Sequence, residues 1–310
     1  MFAATSKAIF HSLAQVGWLQ TLASRYGMAP GHGFARRFVA GESIEEAIAP
    51  VRDIAARGYA VTLDYLGESV ATMELADAAT REYLRIIEVI VASGVERNVS
   101  LKLTQLGLDV DRATCVDNLR RILDPADRHG FFVRIDMENS PYTDQTLVVL
   151  ETLWQQGHTK VGTVIQSCLK RSAGDVARLH KLGARIRLVK GAYKEPAEVA
   201  FQQMAEVDAA FVTLMKTLLD DNPYPAIATH DEAMLDATRT YATQQGYGKD
   251  RFEFQMLYGI RRDLQQALLQ DGYRVRVYVP YGQQWYPYFM RRLGERPANV
   301  GFVLKGMLKD

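Results

Sequence analysis

Phe131–Met137 reads FFVRIDM, and its side chains sort by parity: Val133, Ile135 and Met137 on one side, Arg134 and Asp136 on the other, with Glu138 continuing the charged series. A two-residue period belongs to a strand. The same division recurs in SLKLT, where Leu101 and Leu103 oppose Ser100, Lys102 and Thr104. In FEFQML, Phe252, Phe254 and Met256 oppose Glu253, Gln255 and Leu257; in RVRVYVP, Val275, Val277 and Val279 oppose Arg274, Arg276 and Tyr278. Further short strand-like runs are YAVTLDY from Tyr59, VGTVIQS from Val161, ARIRLV from Ala184 and PAIATH from Pro225. The eight starts run from position 59 to 274, about 31 residues apart, one βα unit each.

Helical patterns fill the intervals. Ala71–Ser93 is a long amphipathic run, and Glu195–Leu219 is expected as a helix with a proline in its first turn. Gly94, Gly130, Gly157, Gly183 and Gly272 fall where each helix would stop. The expected architecture is α/β: a distorted (βα)₈ TIM-type barrel with extra N-terminal helices. A doubly wound parallel sheet is the alternative. The domain expectation is an N-terminal helical arm over 1–45, then a catalytic barrel over 46–310. The arm would cap the barrel's lower face or build a homo-oligomer, and the sequence does not choose.

In a barrel the apolar parity must meet the surrounding helices, so the interior receives Lys102, Asp136, Glu253, Arg276 and Tyr278. Charges there need partners. Arg134, Glu253 and Arg276 lie deep and read as a structural ion-pair network. Lys102, Asp136 and Tyr278 lie toward the strands' C-terminal ends, where barrel enzymes keep their chemistry, and are taken as catalytic.

Composition narrows the partners. The 310 residues carry 37 Lys+Arg against 36 Asp+Glu, so net charge does not suggest a nucleic-acid binder. Two cysteines, Cys115 and Cys168, build no disulfide framework. No apolar run reaches a bilayer's ~20 residues, and the N-terminus shows no clear signal peptide. A cytoplasmic enzyme is expected.

The densest chemical signal is YVPYGQQWYPYFMRRLGERP, from Tyr278. Pro287 suits the first turn of a helix over Tyr286–Leu293, on which Tyr288, Arg291 and Arg292 stand at i, i+3 and i+4. Twin guanidiniums beside aromatics suit a carboxylate or a phosphate. In RLVKGAYKEP, Arg187 and Lys190 are donors for an anionic cofactor, and Gly191 permits close backbone approach. Arg187 could instead satisfy an interior carboxylate. Gln166 ends the fourth strand; Thr229 and His230 end the sixth. HxH and HExxH are absent, so no metal is expected. No Rossmann or P-loop glycine motif is present, so any dinucleotide must be held by the barrel.

The ordered motifs TLDYLGE, SLKLTQLG, RIDMENS, VIQSCLKRS, RLVKGAYKEP, ATHDE, FEFQMLYGIR and YVPYGQQWYPYFMRRLGERPAN resemble the bacterial monofunctional proline dehydrogenases, which are related to the first domain of bifunctional proline-utilisation enzymes. The match runs from Tyr59 to Asn299. The resemblance implies FAD over the strands' C-terminal ends and oxidation of L-proline to Δ1-pyrroline-5-carboxylate by hydride transfer from C5 to flavin N5. Electrons would pass to a quinone during transient peripheral contact with the inner face of the membrane. It also implies that Arg291 and Arg292 hold the proline carboxylate, while Tyr278, Tyr288, Leu257, Ala192 and Tyr193 pack about the ring. Lys102, Asp136 and Glu295 would line the pocket, with Lys102 and Asp136 as a pair. Gln166, Arg187, Lys190, Gly191, Thr229 and His230 would contact the flavin, and Glu68 would pair with Arg291 as a lid. Lys194 stands where the bifunctional relatives carry Trp. Two rival readings are a Schiff-base (class I) aldolase using Lys102 or Lys190, and a non-catalytic amino-acid-binding barrel.

Overall fold

The computed structural model describes residues 27–28 and 33–295, with the backbone alone for 294 and 295. The strands are β1 (Ala60–Tyr65), β2 (Asn98–Leu101), β3 (Phe132–Ile135), β4 (Val161–Gln166), β5 (Ile186–Val189), β6 (Ala226–Ala228), β7 (Glu253–Leu257) and β8 (Val275–Tyr281). They pair in parallel in chain order, and β8 returns to β1 over the register Ala60↔Arg276 to Tyr65↔Tyr281. That last pairing closes the barrel, removes every edge and excludes the doubly wound alternative.

The described helices are α1 (Ile44–Ala56), α2 (Met73–Ser93), α3 (Arg112–Arg128), α4 (Thr143–Gln155), α5 (Ser172–His180), α6 (Met204–Asp221), α7 (Glu232–Gln244), α8 (Arg262–Gln270) and α9 (Trp285–Glu295). Local chemistry sets their ends. Thr72 and Asp111 accept the backbone N–H groups of Leu75 and Thr114 at the starts of α2 and α3. Gly94 stops α2 at φ 73°, its N–H returning to the Ile90 carbonyl at 3.2 Å.

One helix differs from the sequence reading. The run expected from Glu195 becomes helical only at Met204. Pro196 opens a turn closed by the N–H groups of Val199 and Ala200, and Ala200 bridges to Leu169. The helix starts at the next favourable cap, where the Glu206 carboxylate accepts the Gln203 N–H at 3.2 Å. Most of the expected arm over 1–45 lies outside the described residues. Phe34 and Phe38 do pack on α9, with ring centroids 5.1 and 6.0 Å from Phe289.

Apolar parities of the strands and inner faces of the helices form one continuous core. The barrel interior is polar at its lower end. Arg276 donates to both oxygens of Glu253 at 2.8 and 2.9 Å, to Glu96 at 2.9 Å and to the Val61 carbonyl at 2.7 Å. Burial alone would push the Glu253 carboxyl up; the Arg276 charge outweighs it and holds the group below its ordinary 4.5. Arg134, expected in the same network, instead donates to the carbonyls of Thr163 and Arg185 at 2.8 and 2.5 Å, with its guanidinium 4.7 Å from the Phe132 ring centre. Main-chain oxygens thus take the two hydrogen bonds of its Nη1, and its buried Nε has no hydrogen-bond partner.

Removing one partner of a buried pair leaves the other uncompensated, so Glu253→Ala is expected to cost about 3 kcal/mol of stability. Glu253→Leu combined with Arg276→Met should cost less than Glu253→Ala alone, read as denaturant midpoints. Because Glu253 is ionised more readily folded than unfolded, its contribution is complete above pH ~4.5 and fades as pH falls further. Glu253→Gln should flatten that acid limb.

Candidate active site

The C-terminal ends of the strands open into a cavity of about 830 Å³. This is the rim where barrel side chains converge from separate loops. α9 supplies its roof. Trp285, Phe289 and Leu293, spaced four apart, are buried in an aromatic cluster with Phe38 and Leu66. The Trp285 indole N–H donates to Glu42 at 3.1 Å. With that face fixed, Tyr288, Arg291 and Arg292 face the cavity. The Arg292 guanidinium lies 5.0 Å from the centre of the Tyr288 ring, as the i, i+4 spacing predicts. Arg291 Nη1 meets Glu68 Oε1 at 3.1 Å, from the loop after β1.

The wall formed by β1, β2, β3 and β8, with Arg187 reaching across from β5, is a charge lattice. Tyr278 donates to Asp136 at 2.8 Å, and Arg187 reaches the other Asp136 oxygen at 2.6 Å and Ser100 at 3.0 Å. The expected Lys102–Asp136 pair is corrected here. Lys102 Nζ is paired with Asp64, at 3.5 Å, because Asp136 already accepts from Arg187 and Tyr278. Burial works to lower the Lys102 pKa, but the Asp64 and Asp136 charges outweigh it and keep the amine cationic. Burial, then the Asp136 charge, pushes the Tyr278 phenol well up, so it acts as a donor.

The arc from β4 to β6 is donor-rich. Gln166 Nε2 donates to the Glu138 carbonyl at 2.8 Å. Lys190 Nζ is braced between Asp208 and Asp231 at 2.5 and 2.6 Å. His230 Nε2 accepts the Leu257 N–H at 2.9 Å, so a neutral ring carries its proton on Nδ1. Gly191 sits at φ 117°, where a Cβ would stand 2.3 Å from Cys168 Sγ. Only glycine fits.

Thus Lys102, Asp136, Gln166, Arg187, Lys190, Gly191, Ala192, Tyr193, Thr229, His230, Leu257, Tyr278, Tyr288, Arg291 and Arg292 all line one cavity. Glu68 reaches it through Arg291. The Glu295 side chain lies outside the described residues. Asp64 was missed by the sequence reading. It is 1% exposed, lines the cavity, and leaves Oδ2 with no hydrogen bond. Its signal was available, since in AVTLDY Thr62 and Asp64 share the parity opposite Val61 and Leu63.

The family model described as Proline dehydrogenase matches residues 47–305. Proline dehydrogenase 1 of Bacillus subtilis subsp. natto is 43% identical over 301 residues, covering 97% of this chain and 98% of that protein. Proline dehydrogenase of Deinococcus radiodurans is 46% identical over 279 residues, covering 89% and 90%. Among solved structures, proline utilization A from Bdellovibrio bacteriovorus, inactivated by N-propargylglycine, superposes with TM-score 0.79 at 28% identity. That match covers 84% of this chain and 32% of the longer one. Full-length matches to the single-function enzymes, with the barrel rim described above, make this chain a member of the proline dehydrogenase family.

Proposed function

We propose that the cavity binds FAD along its β4–β6 side and L-proline beneath the arginines of α9, releasing Δ1-pyrroline-5-carboxylate and passing electrons to a quinone. Oxidation of proline, the first step of proline catabolism, is the activity of the family and of this chain. The observation that carries the assignment of roles is the segregation of the rim. Gln166, Arg187, Lys190, Thr229 and His230 come from β4, β5, β6 and the residues just after them, whereas Arg291 and Arg292 come from α9 after β8, and all seven line one cavity.

The residues fit a flavin. Arg187 Nε is buried without a hydrogen bond, and Gly191 lines the cavity with its backbone packed so tightly on Cys168 that no side chain can be added there. Arg187, Lys190 and Gln166 would hold the ring and its substituents, and Thr229 with His230 the ribityl and phosphate end. Bound there, FAD would supply the acceptor for the hydride leaving proline C5.

The chain's own residues do the rest. Arg291 and Arg292 fix the substrate carboxylate, and Tyr278, Tyr288, Leu257, Ala192 and Tyr193 confine the ring, so C5 is held in one orientation. Positioning of this kind lowers a barrier by several kcal/mol. Lys102, kept cationic, adds positive charge beside the carboxylate. Both Asp136 oxygens already accept hydrogen bonds, from Arg187 and Tyr278, and we assign the proton of the proline amine to solvent. The arginine fork and Glu68 at the rim limit water around the reacting carbon.

The aldolase reading is disfavoured by the same geometry. Lys102 is paired with Asp64, and Lys190 is braced by two carboxylates that hold its pKa up, so neither amine is the free base a Schiff base requires. Among the described residues no helix is long and apolar enough to cross a membrane. Peripheral contact from the cytoplasmic side and association into a homo-oligomer complete the proposal.

Purified protein should be yellow, and proline added without air should bleach the flavin band; a colourless protein, or colour untouched by proline, overturns the reading. Arg292→Lys loses the planar fork and should weaken carboxylate binding by about 1.5–3 kcal/mol, seen as a raised proline KM. Gly191→Ala should purify with a lowered ratio of flavin to protein absorbance while its unfolding midpoint still reports a folded barrel.

A further inference from the structure

The loop after β1 carries Glu68 to Arg291, and its backbone is held from one side. Gly67 packs where a Cβ would lie 2.4 Å from Gln105 Nε2. Ser69 has φ 54°, a left-handed conformation that a non-glycine residue adopts only when its surroundings impose it. What imposes it is Thr104, in the short 3₁₀ turn after β2. The Ser69 N–H donates to Thr104 Oγ1 at 2.9 Å, and the Val70 N–H to the Thr104 carbonyl at 3.2 Å.

Thr104 is in turn fixed. It is fully buried; its hydroxyl donates to Glu138 Oε2 at 2.5 Å, and its N–H to Glu138 Oε1 at 3.2 Å. A hydroxyl has one proton, and Glu138 takes it, so Oγ1 faces Ser69 as an acceptor. Gln166, at the end of β4, donates to the Glu138 carbonyl. A chain of hydrogen bonds therefore links the residue beside Glu68 to the barrel wall, with Thr104 and Gln166 both donating to Glu138.

We propose that Thr104, oriented by Glu138, is the positioning residue that keeps Glu68 within reach of Arg291. Thr104 itself does not line the cavity. The kinetic part rests on the reading of Glu68 and Arg291 as the rim over bound proline; the positioning of the loop does not.

The test uses the full-length, flavin-loaded enzyme and two readouts. Thr104→Val keeps the shape and removes the hydroxyl, while Thr104→Ser keeps the hydroxyl. Amide exchange of Ser69 should quicken in Thr104→Val and stay near wild type in Thr104→Ser. The proline KM should rise about three- to tenfold in Thr104→Val with kcat changed less, and be restored in Thr104→Ser. In a Glu68→Ala background Thr104→Val should add nothing further. Unchanged Ser69 exchange, or additive effects of the two substitutions on KM, would overturn the proposal. Quickened exchange with a KM indifferent to Glu68→Ala supports the positioning and sinks the rim reading alone. Should Thr104→Val not fold, Thr104→Ala serves the same comparison.

Discussion

A closed ring of eight strands turns alternate side chains inward, away from bulk water, and in this chain many of those side chains are charged. Each must find a counter-charge or a carbonyl, because an ion stripped of hydration without one costs several kcal/mol. Glu253 answers Arg276, Asp136 answers Arg187, Asp64 answers Lys102, and carbonyl oxygens answer Arg134. Neither the floor nor the reactive rim could exist without this pairing. It also orders the rim, since a side chain fixed by two hydrogen bonds holds one rotamer before any substrate arrives.

The roof follows a different logic. α9 is anchored by bulk, with Trp285, Phe289 and Leu293 sunk against Phe38 and Leu66. The buried seam leaves the opposite stripe of the helix, with its two guanidiniums, over the cavity. Aromatic anchoring and arginine presentation are thus two faces of one amphipathic turn pattern.

Much of this was legible in the residues. Alternation in FFVRIDM and RVRVYVP sets strand parity, and the regular interval between such runs sets the barrel; both depend only on local spacing. Tyr288, Arg291 and Arg292 could be placed on one helical face for the same reason. Three things were not legible. Lys102 pairs with Asp64 because Arg187 and Tyr278 already occupy Asp136, a competition among five strands that no local pattern encodes. The start of α6 moved to Met204 because a Gln203–Glu206 cap won over a proline that closes a separate turn. The Thr104 contacts join loops of three different βα units, and nothing in LGESV marks Ser69 for a left-handed backbone.

The Arg276–Glu253–Glu96 cluster stands at the end of the barrel opposite the cavity and shares no residue with its lining. Rigidity and selectivity therefore reside in separable parts of one chain. Laboratory evolution toward bulkier cyclic amines could diversify the rim loops freely while the foundation, left untouched, continues to tolerate the damage that new specificities usually bring.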